Sequence, residues 1–297
     1  MSSCAGESFM QAARNSAGPE LHMDERQLAY WTRYIEDEAG VFIAPERKSF
    51  LLSGLRACMR ELGCRELSEY HRLLSRGPSK ARAWSGLIDR LTVHETCFFR
   101  HASSLKLVEK ETIPRALSRH GSFRAWSVAC ASGEEAWSLA MLADDVTRRA
   151  TGLEARPFSY SVTGTDISLE SLRAARRAHY PARSLRHVPE AYRARYCRAA
   201  KAGHFTIVED LRRRVCFTRA NLLQLDQVPL KEMDLVYCQN LLIYYDRHRR
   251  KEIVRRLVDF LRPGGMLILG PGELLRWQHP AMEKVRYPDT LAYRRAD

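Results

Sequence analysis

Five short runs of this 297-residue chain combine residue types that can do chemistry at spacings a ligand can use. The first is Ala129-Cys130-Ala131-Ser132-Gly133-Glu134-Glu135. Its small residues let the backbone approach a ligand, and Gly133 can take a positive φ. The run is neither Gly-x-Gly-x-x-Gly nor a phosphate loop. Its two carboxylates disfavour a diphosphate and suit a cationic amine or hydroxyl donors. The same residues also suit a helix start, with Ser132 near the cap and Glu134 and Glu135 in the first turn. The second run ends in Asp166; an acid at a strand end accepts hydrogen bonds from ribose hydroxyls, or joins Ser168 at a helix N-terminus. Asn221 and Asn240 end two further strand-like runs and can hold polar groups of a base or an amino acid, or simply tie loops together. Together these residues suggest an adenosine-containing ligand without phosphates, and S-adenosylmethionine has the matching parts. The fifth run, His94-Glu95-Thr96-Cys97-Phe98-Phe99-Arg100, would bury its phenylalanines and leave Thr96 and Arg100 to face a site, or act as a linker with Arg100 in a salt bridge.

Such residues need a frame. Strand-like segments at 123–130, 159–166, 215–223, 233–240 and 266–270 are interspersed with helical ones, including EEAWSLAMLADDVTRRA, ISLESLRAARRAHY and RHRRKEIVRRLVDFL. This predicts an α/β domain with a largely parallel sheet, whose ligands bind beyond the carboxyl ends of the strands. The run 261–265, LRPGG, reads as a helix stop and turn. Earlier, from Glu25 to about Arg90, apolar residues at three and four spacing predict about four helices, with stops near Gly40, Gly63 and Gly77.

Composition narrows the classes. No run of 18 apolar residues predicts a membrane span. The first twenty residues lack the basic and apolar regions of an ordinary signal peptide, so a cytoplasmic protein is expected. The eight cysteines form no CxxC pair and no zinc-ligand spacing, so no metal is expected; reduced, mostly buried thiols are. The net charge of +13 draws the chain toward something acidic. Residues 171–219 hold thirteen Lys/Arg against three Asp/Glu, which is +10 of that charge, and form either a docking surface or a solvated face.

Four motifs in order carry a resemblance: Thr96-Cys97-Phe98-Phe99-Arg100; Cys130-Ala131-Ser132-Gly133-Glu134-Glu135; Gly164-Thr165-Asp166-Ile167; and Asn240-Leu241-Leu242-Ile243-Tyr244-Tyr245-Asp246. The chain resembles the chemotaxis-receptor glutamate methyltransferase family, CheR, over roughly residues 28–293. The resemblance implies a class I, Rossmann-like methyltransferase sheet with a small antiparallel β-subdomain insert, preceded by an all-helical receptor-docking domain. The corresponding organisation is a tail at 1–24, a helical domain at 25–90, a junction at 91–122 and the methyltransferase domain at 123–297. The insert falls at about 181–218, with 203–208 and 213–217 expected as a hairpin of it.

The resemblance further implies S-adenosylmethionine as donor, S-adenosylhomocysteine as product, and glutamate side chains in the helical cytoplasmic region of chemoreceptors as acceptors. It places His94, Thr96, Arg100, Ala129, Glu135, Asp166, Asn221, Leu222 and Asn240 around the cofactor. Arg100 and Tyr244 would lie next to the transferred methyl group. Arg56 and Arg60, at i,i+4 with Lys48 and Arg65 nearby, suit receptor docking. The chain departs from the family pattern at His94, where Asn is usual, and at Ala131-Ser132, Ala136-Trp137, Gln239 and Pro271-Gly272. Two other readings stand beside this one: a cofactor-binding signalling partner with weak or no turnover, and a nucleic-acid methyltransferase. The second suits the charge, but the chain has no zinc knuckle and no Asp/Asn-Pro-Pro-Tyr/Phe run.

Overall fold

A computed structural model describes residues 23–43, 47–92, 96–151 and 158–297, so His94 and nearly all of the expected tail lie outside the described residues. The first elements among the described residues are four amphipathic helices: α1 (Glu25–Ala39), α2 (Lys48–Glu61), α3 (Leu67–Ser75) and α4 (Lys80–Leu91). Asp24 opens α1 through a capping box with Gln27, and Gly40 closes it at φ 71. The apolar faces meet around Trp31, Ile35, Leu55, Tyr70, Trp84 and Leu87. The polar tips of two buried rings are satisfied by backbone: Tyr70 donates to the Ala83 carbonyl and Trp84 to that of Leu74.

Two helices, α5 (Ala102–Leu107) and α6 (Ile113–His120), joined by a π-helical turn, lead into the α/β domain. Its elements in order are β1 (Ser122–Val128), α7 (Glu134–Thr151), β2 (Ser159–Asp166), α8 (Leu169–Arg177), β3 (His179–Pro181), α9 (Glu190–Tyr196), β4 (Cys197–Ala200), β5 (His204–Ile207), α10 (Glu209–Arg212), β6 (Val215–Arg219), β7 (Met233–Cys238), α11 (Arg247–Val258), β8 (Leu261–Leu269), β9 (Met282–Tyr287) and β10 (Thr290–Arg295). The main sheet has the order β6-β2-β1-β7-β8-β10-β9. The first five strands are parallel, and β10 and β9 close the edge in antiparallel pairing. β7 is buried along its whole length, as a strand covered on both faces must be.

Three features differ from the sequence expectation. The insert is a three-stranded sheet, β3-β5-β4, and the 213–217 segment is not part of it. β6 instead pairs with β2, where Phe217 is buried against Trp137. The insert packs Tyr180 and Phe205 on Phe98 and so shares the core of the main sheet. Second, 261–265 is not a turn but the start of β8. The glycine there serves close approach: a Cβ on Gly265 would sit 2.8 Å from the Met233 carbonyl oxygen. Third, β9 and β10 add a terminal hairpin that the sequence reading left out. The insert is anchored to α7 by Asp144, which accepts from Tyr160 (2.9 Å) and Tyr196 (3.0 Å).

Candidate active site

Backbone strain marks the carboxyl ends of β1 and β7. Phe99, His101, Ala129, Ala131 and Asn240 all sit at positive φ, between 47° and 59°. A non-glycine residue there costs on the order of 1–3 kcal/mol, and such strain gathers at functional sites. These five are half of the described non-glycine residues with positive φ, and all lie on three segments around one cleft.

The cleft has two halves. Thr96, Arg100, Glu135, Ser138 and Gln239 line one. Asp166, Asn221, Leu222, Tyr244 and Tyr245 line the other, while Ala129, Ala131 and Asn240 border both. The structure therefore places Thr96, Arg100, Ala129, Glu135, Asp166, Asn221, Leu222, Asn240 and Tyr244 around two adjoining pockets that share Ala129, Ala131 and Asn240. The helical domain supplies a wall through Ala39, Gly40, Val41, Leu91 and Thr92. Sequence reading took Gly40 only as a helix stop. A Cβ on it would meet Leu223 Cγ at 2.8 Å, so this glycine also lets the two domains close on each other. An Arg249–Glu36 ion pair at 3.2 Å spans the same seam.

Asp166 is buried, and both of its oxygens already hold backbone. Oδ2 accepts from Ala131 N at 2.9 Å and Oδ1 from Ser168 N at 2.8 Å. One carboxylate thus ties the β1 loop to the start of α8. The neighbouring carboxylates part company. Glu134 turns into the protein and accepts from Ser132 Oγ at 2.7 Å. Glu135 turns into the cleft and accepts from Ser127 Oγ at 2.6 Å. Burial pushes the Glu135 carboxyl up to about 8, with the Ser127 hydrogen bond and the Arg100 charge opposing and the Glu273 charge adding to the rise.

The remaining loops are held by residues that local sequence does not reveal. Asn240 Nδ2 donates to His101 Nε2 at 2.8 Å. Burial and the adjacent Arg100 charge lower the His101 pKa, which keeps that nitrogen an acceptor. Buried Glu273 accepts from Leu242 N (3.0 Å) and Gly270 N (2.8 Å), fastening the 240–245 loop to the end of β8. Gln239 Nε2 donates to Ser104 Oγ and the Leu269 carbonyl, joining β7 to α5 and β8. Asn221 caps its own turn, its side chain accepting from Leu223 N.

Of the docking candidates, Arg60 and Arg65 are exposed while Arg56 and Lys48 are half-buried. Much of the 171–219 charge is spent locally: Arg176 donates twice to the Phe217 carbonyl, Arg195 pairs with Asp145 and Arg213 with Glu209. Arg173, Arg177, Arg183 and Arg186 are exposed on α8 and the turn after β3. The described cysteines are free thiols, but only Cys58, Cys130 and Cys238 are buried, fewer than expected.

The sheet order, the strand-end cleft and the helical cap together define a class I methyltransferase fold with an added N-terminal helical domain. A family model described as CheR methyltransferase, SAM binding domain, matches residues 94–290, and one described as CheR methyltransferase, all-alpha domain, matches residues 26–92. The chain is similar to the chemotaxis protein methyltransferase of Escherichia coli K12, at 30% identity covering 85% of this chain and 86% of that protein. It is also similar to that of Klebsiella aerogenes, at 30% with 88% and 90% covered, and to that of Borreliella burgdorferi, at 23% with 90% and 94% covered. The chain belongs to the CheR methyltransferase family.

Proposed function

We propose that the protein methylates glutamate side chains in the cytoplasmic helical region of chemoreceptors, using S-adenosylmethionine and forming γ-methyl esters. The observation that carries the reading is the two-part cleft, with a buried carboxylate and an arginine in one half and a strand-end aspartate and a tyrosine in the other. Its residues fit the cofactor. Glu135 is a carboxylate whose burial leaves it in want of a cation, which an amino-acid ammonium supplies. Asp166, at the end of β2, is a carboxylate of the type that accepts from ribose hydroxyls, Asn221 and Leu222 suit the base, and Ala129 and Ala131 keep the floor shallow. When bound, S-adenosylmethionine supplies a methyl group already activated by its sulfonium, and transfer to a carboxylate leaves a neutral ester and thioether with no proton to move.

The protein's own work is then placement and exclusion of water. The acceptor glutamate is ionised at neutral pH and needs no general base. Arg100 steers it, and Tyr244 orients it through its hydroxyl. Part of the Arg100 field is directed at Glu135, which keeps the arginine from clamping the acceptor so tightly that the ground state is stabilised instead of the transition state. Exposed Arg60, Arg65, Arg173, Arg177, Arg183 and Arg186 would steer an acidic receptor helix, with an on-rate that falls with salt.

Removing only the hydroxyl with Tyr244→Phe should lower turnover by about 10- to 100-fold. Cofactor affinity by calorimetry should stay within about twofold, because the ring remains. Glu135 gives a pH signature. Its carboxyl holds its proton below about pH 8, whereas an ammonium partner favours the ionised form. Cofactor affinity should therefore rise from pH 6 to 7.5, by up to about tenfold per unit, with a proton released on binding. Calorimetry in buffers of different ionisation enthalpy detects that proton, and Glu135→Gln should abolish its release. The function itself is tested by measuring S-adenosylhomocysteine formation: it should require a receptor cytoplasmic fragment and cease when the fragment's acceptor glutamates are replaced by alanine.

A further inference from the structure

We propose that Ile243 and Leu275 form an apolar lip at the mouth of the cleft that receives an apolar side chain of the receptor helix next to its methylated glutamate. The inference rests on the receptor reading above and adds to it the surface that selects the substrate. Among the described residues, the large hydrophobic side chains left exposed are Tyr30, Ile243 at 53% and Leu275 at 70%. Two of these three lie on loops joined to each other, Ile243 directly before Tyr244 and Leu275 two residues after Glu273, and their exposure is not looseness. Glu273 accepts from Leu242 N and Gly270 N. Arg250 donates to the carbonyls of Ile243, Tyr245 and Glu273. Leu242, Leu274 and Trp277, adjacent in sequence or nearly so, are buried anchors of the same core. Both loops are thus fastened from within while one large apolar side chain on each is held outward. Two such residues, fixed and unburied, are what a partner surface requires.

The surroundings define the partner. Arg247, His248 and Arg276, close in sequence to Ile243 and Leu275, are exposed. The one acidic side chain on the 240–250 segment, Asp246, is engaged in capping α11 through His248 N and Arg249 N. An apolar centre with a basic rim fits an acidic amphipathic helix that carries an apolar residue near its acceptor carboxylate. Because Ile243 directly precedes Tyr244, such a helix would be seated with its glutamate at the cleft mouth.

The test uses Ile243→Ser, Leu275→Ser and the double variant in the full chain. Methyl transfer to purified receptor cytoplasmic fragments gives kcat and KM, and calorimetry with S-adenosylhomocysteine reports whether the cleft is intact. The double variant should raise KM for the fragment about tenfold or more, with kcat within about twofold and cofactor affinity unchanged. Ile243→Leu and Leu275→Met should retain the wild-type KM, since apolarity and not shape is what the lip supplies. A receptor fragment with the apolar neighbour of its methylated glutamate changed to serine should lose the difference between wild type and double variant. An unchanged KM in the double variant overturns the lip and leaves the receptor reading standing. So does a dimer of the wild type that the double variant dissolves with no change in KM. Absence of methyl transfer by the wild type to any receptor fragment overturns the receptor reading, and the lip with it.

Discussion

Asp166→Ala should weaken S-adenosylhomocysteine binding by about a hundredfold or more when measured by calorimetry. The expectation rests on two losses. The first is the ribose contact proposed for the carboxylate. The second is visible in the protein itself: Ala131 N and Ser168 N would lose their acceptor. A hydrogen bond to a charged group contributes about 1.5–3 kcal/mol, and about 1.4 kcal/mol is a factor of ten in affinity. Ala131 is held at φ 47, so without its anchor the floor of the cleft can relax to a less strained shape. Asp166→Asn tests the same losses without a change of volume. It keeps the volume but turns one acceptor into a donor, opposing one of the two backbone N–H groups. Its affinity should therefore fall nearly as far as that of the alanine variant. If affinity survived Asp166→Ala, the cofactor would not lie over the end of β2.

Arg100→Ala should lower kcat/KM for receptor methylation by about two to three orders of magnitude, the range expected when a preorganised charge is removed from a water-excluded site. Two effects combine. The acceptor carboxylate loses its steering cation. Glu135 loses the charge that opposes its burial, so its carboxyl is pushed further above neutral and holds an ammonium less well. Arg100→Lys keeps the charge but not the planar fork, and should recover cofactor affinity more fully than turnover. A variant with normal kcat and only weakened cofactor binding would make Arg100 a cofactor-holding residue alone.

The cleft residues were legible because the chemistry sits where strands end. A run such as 159–166 fixes a strand by pattern, and its last residue is then placed by the geometry of a parallel sheet. Residues that act across long distances in sequence were not legible. His101 has no local signal for its bond to Asn240, and nothing near Glu273 announces that it grips Leu242 N. The wall from Gly40 and Leu91 exists only because two domains close on each other. The misplacement of 213–217 has a similar origin: alternation identifies a strand but not its sheet, and the burial of Phe217 against Trp137 decides it. In 261–265 the Pro-Gly-Gly run suggested a turn, yet Gly265 is needed where the strand passes the Met233 carbonyl. The charge of 171–219 was legible in amount but not in use, since several of its arginines brace the insert and α8 before any partner arrives.

The most direct measurement is transfer of a radiolabelled methyl group from S-adenosylmethionine to a purified receptor cytoplasmic fragment, followed by mild base. The account predicts label on the fragment that is released as volatile methanol, as a glutamyl methyl ester requires. It also predicts that Tyr244→Phe sharply reduces this label. Base-stable label on the protein, label on RNA in its place, or no transfer to any fragment would contradict it.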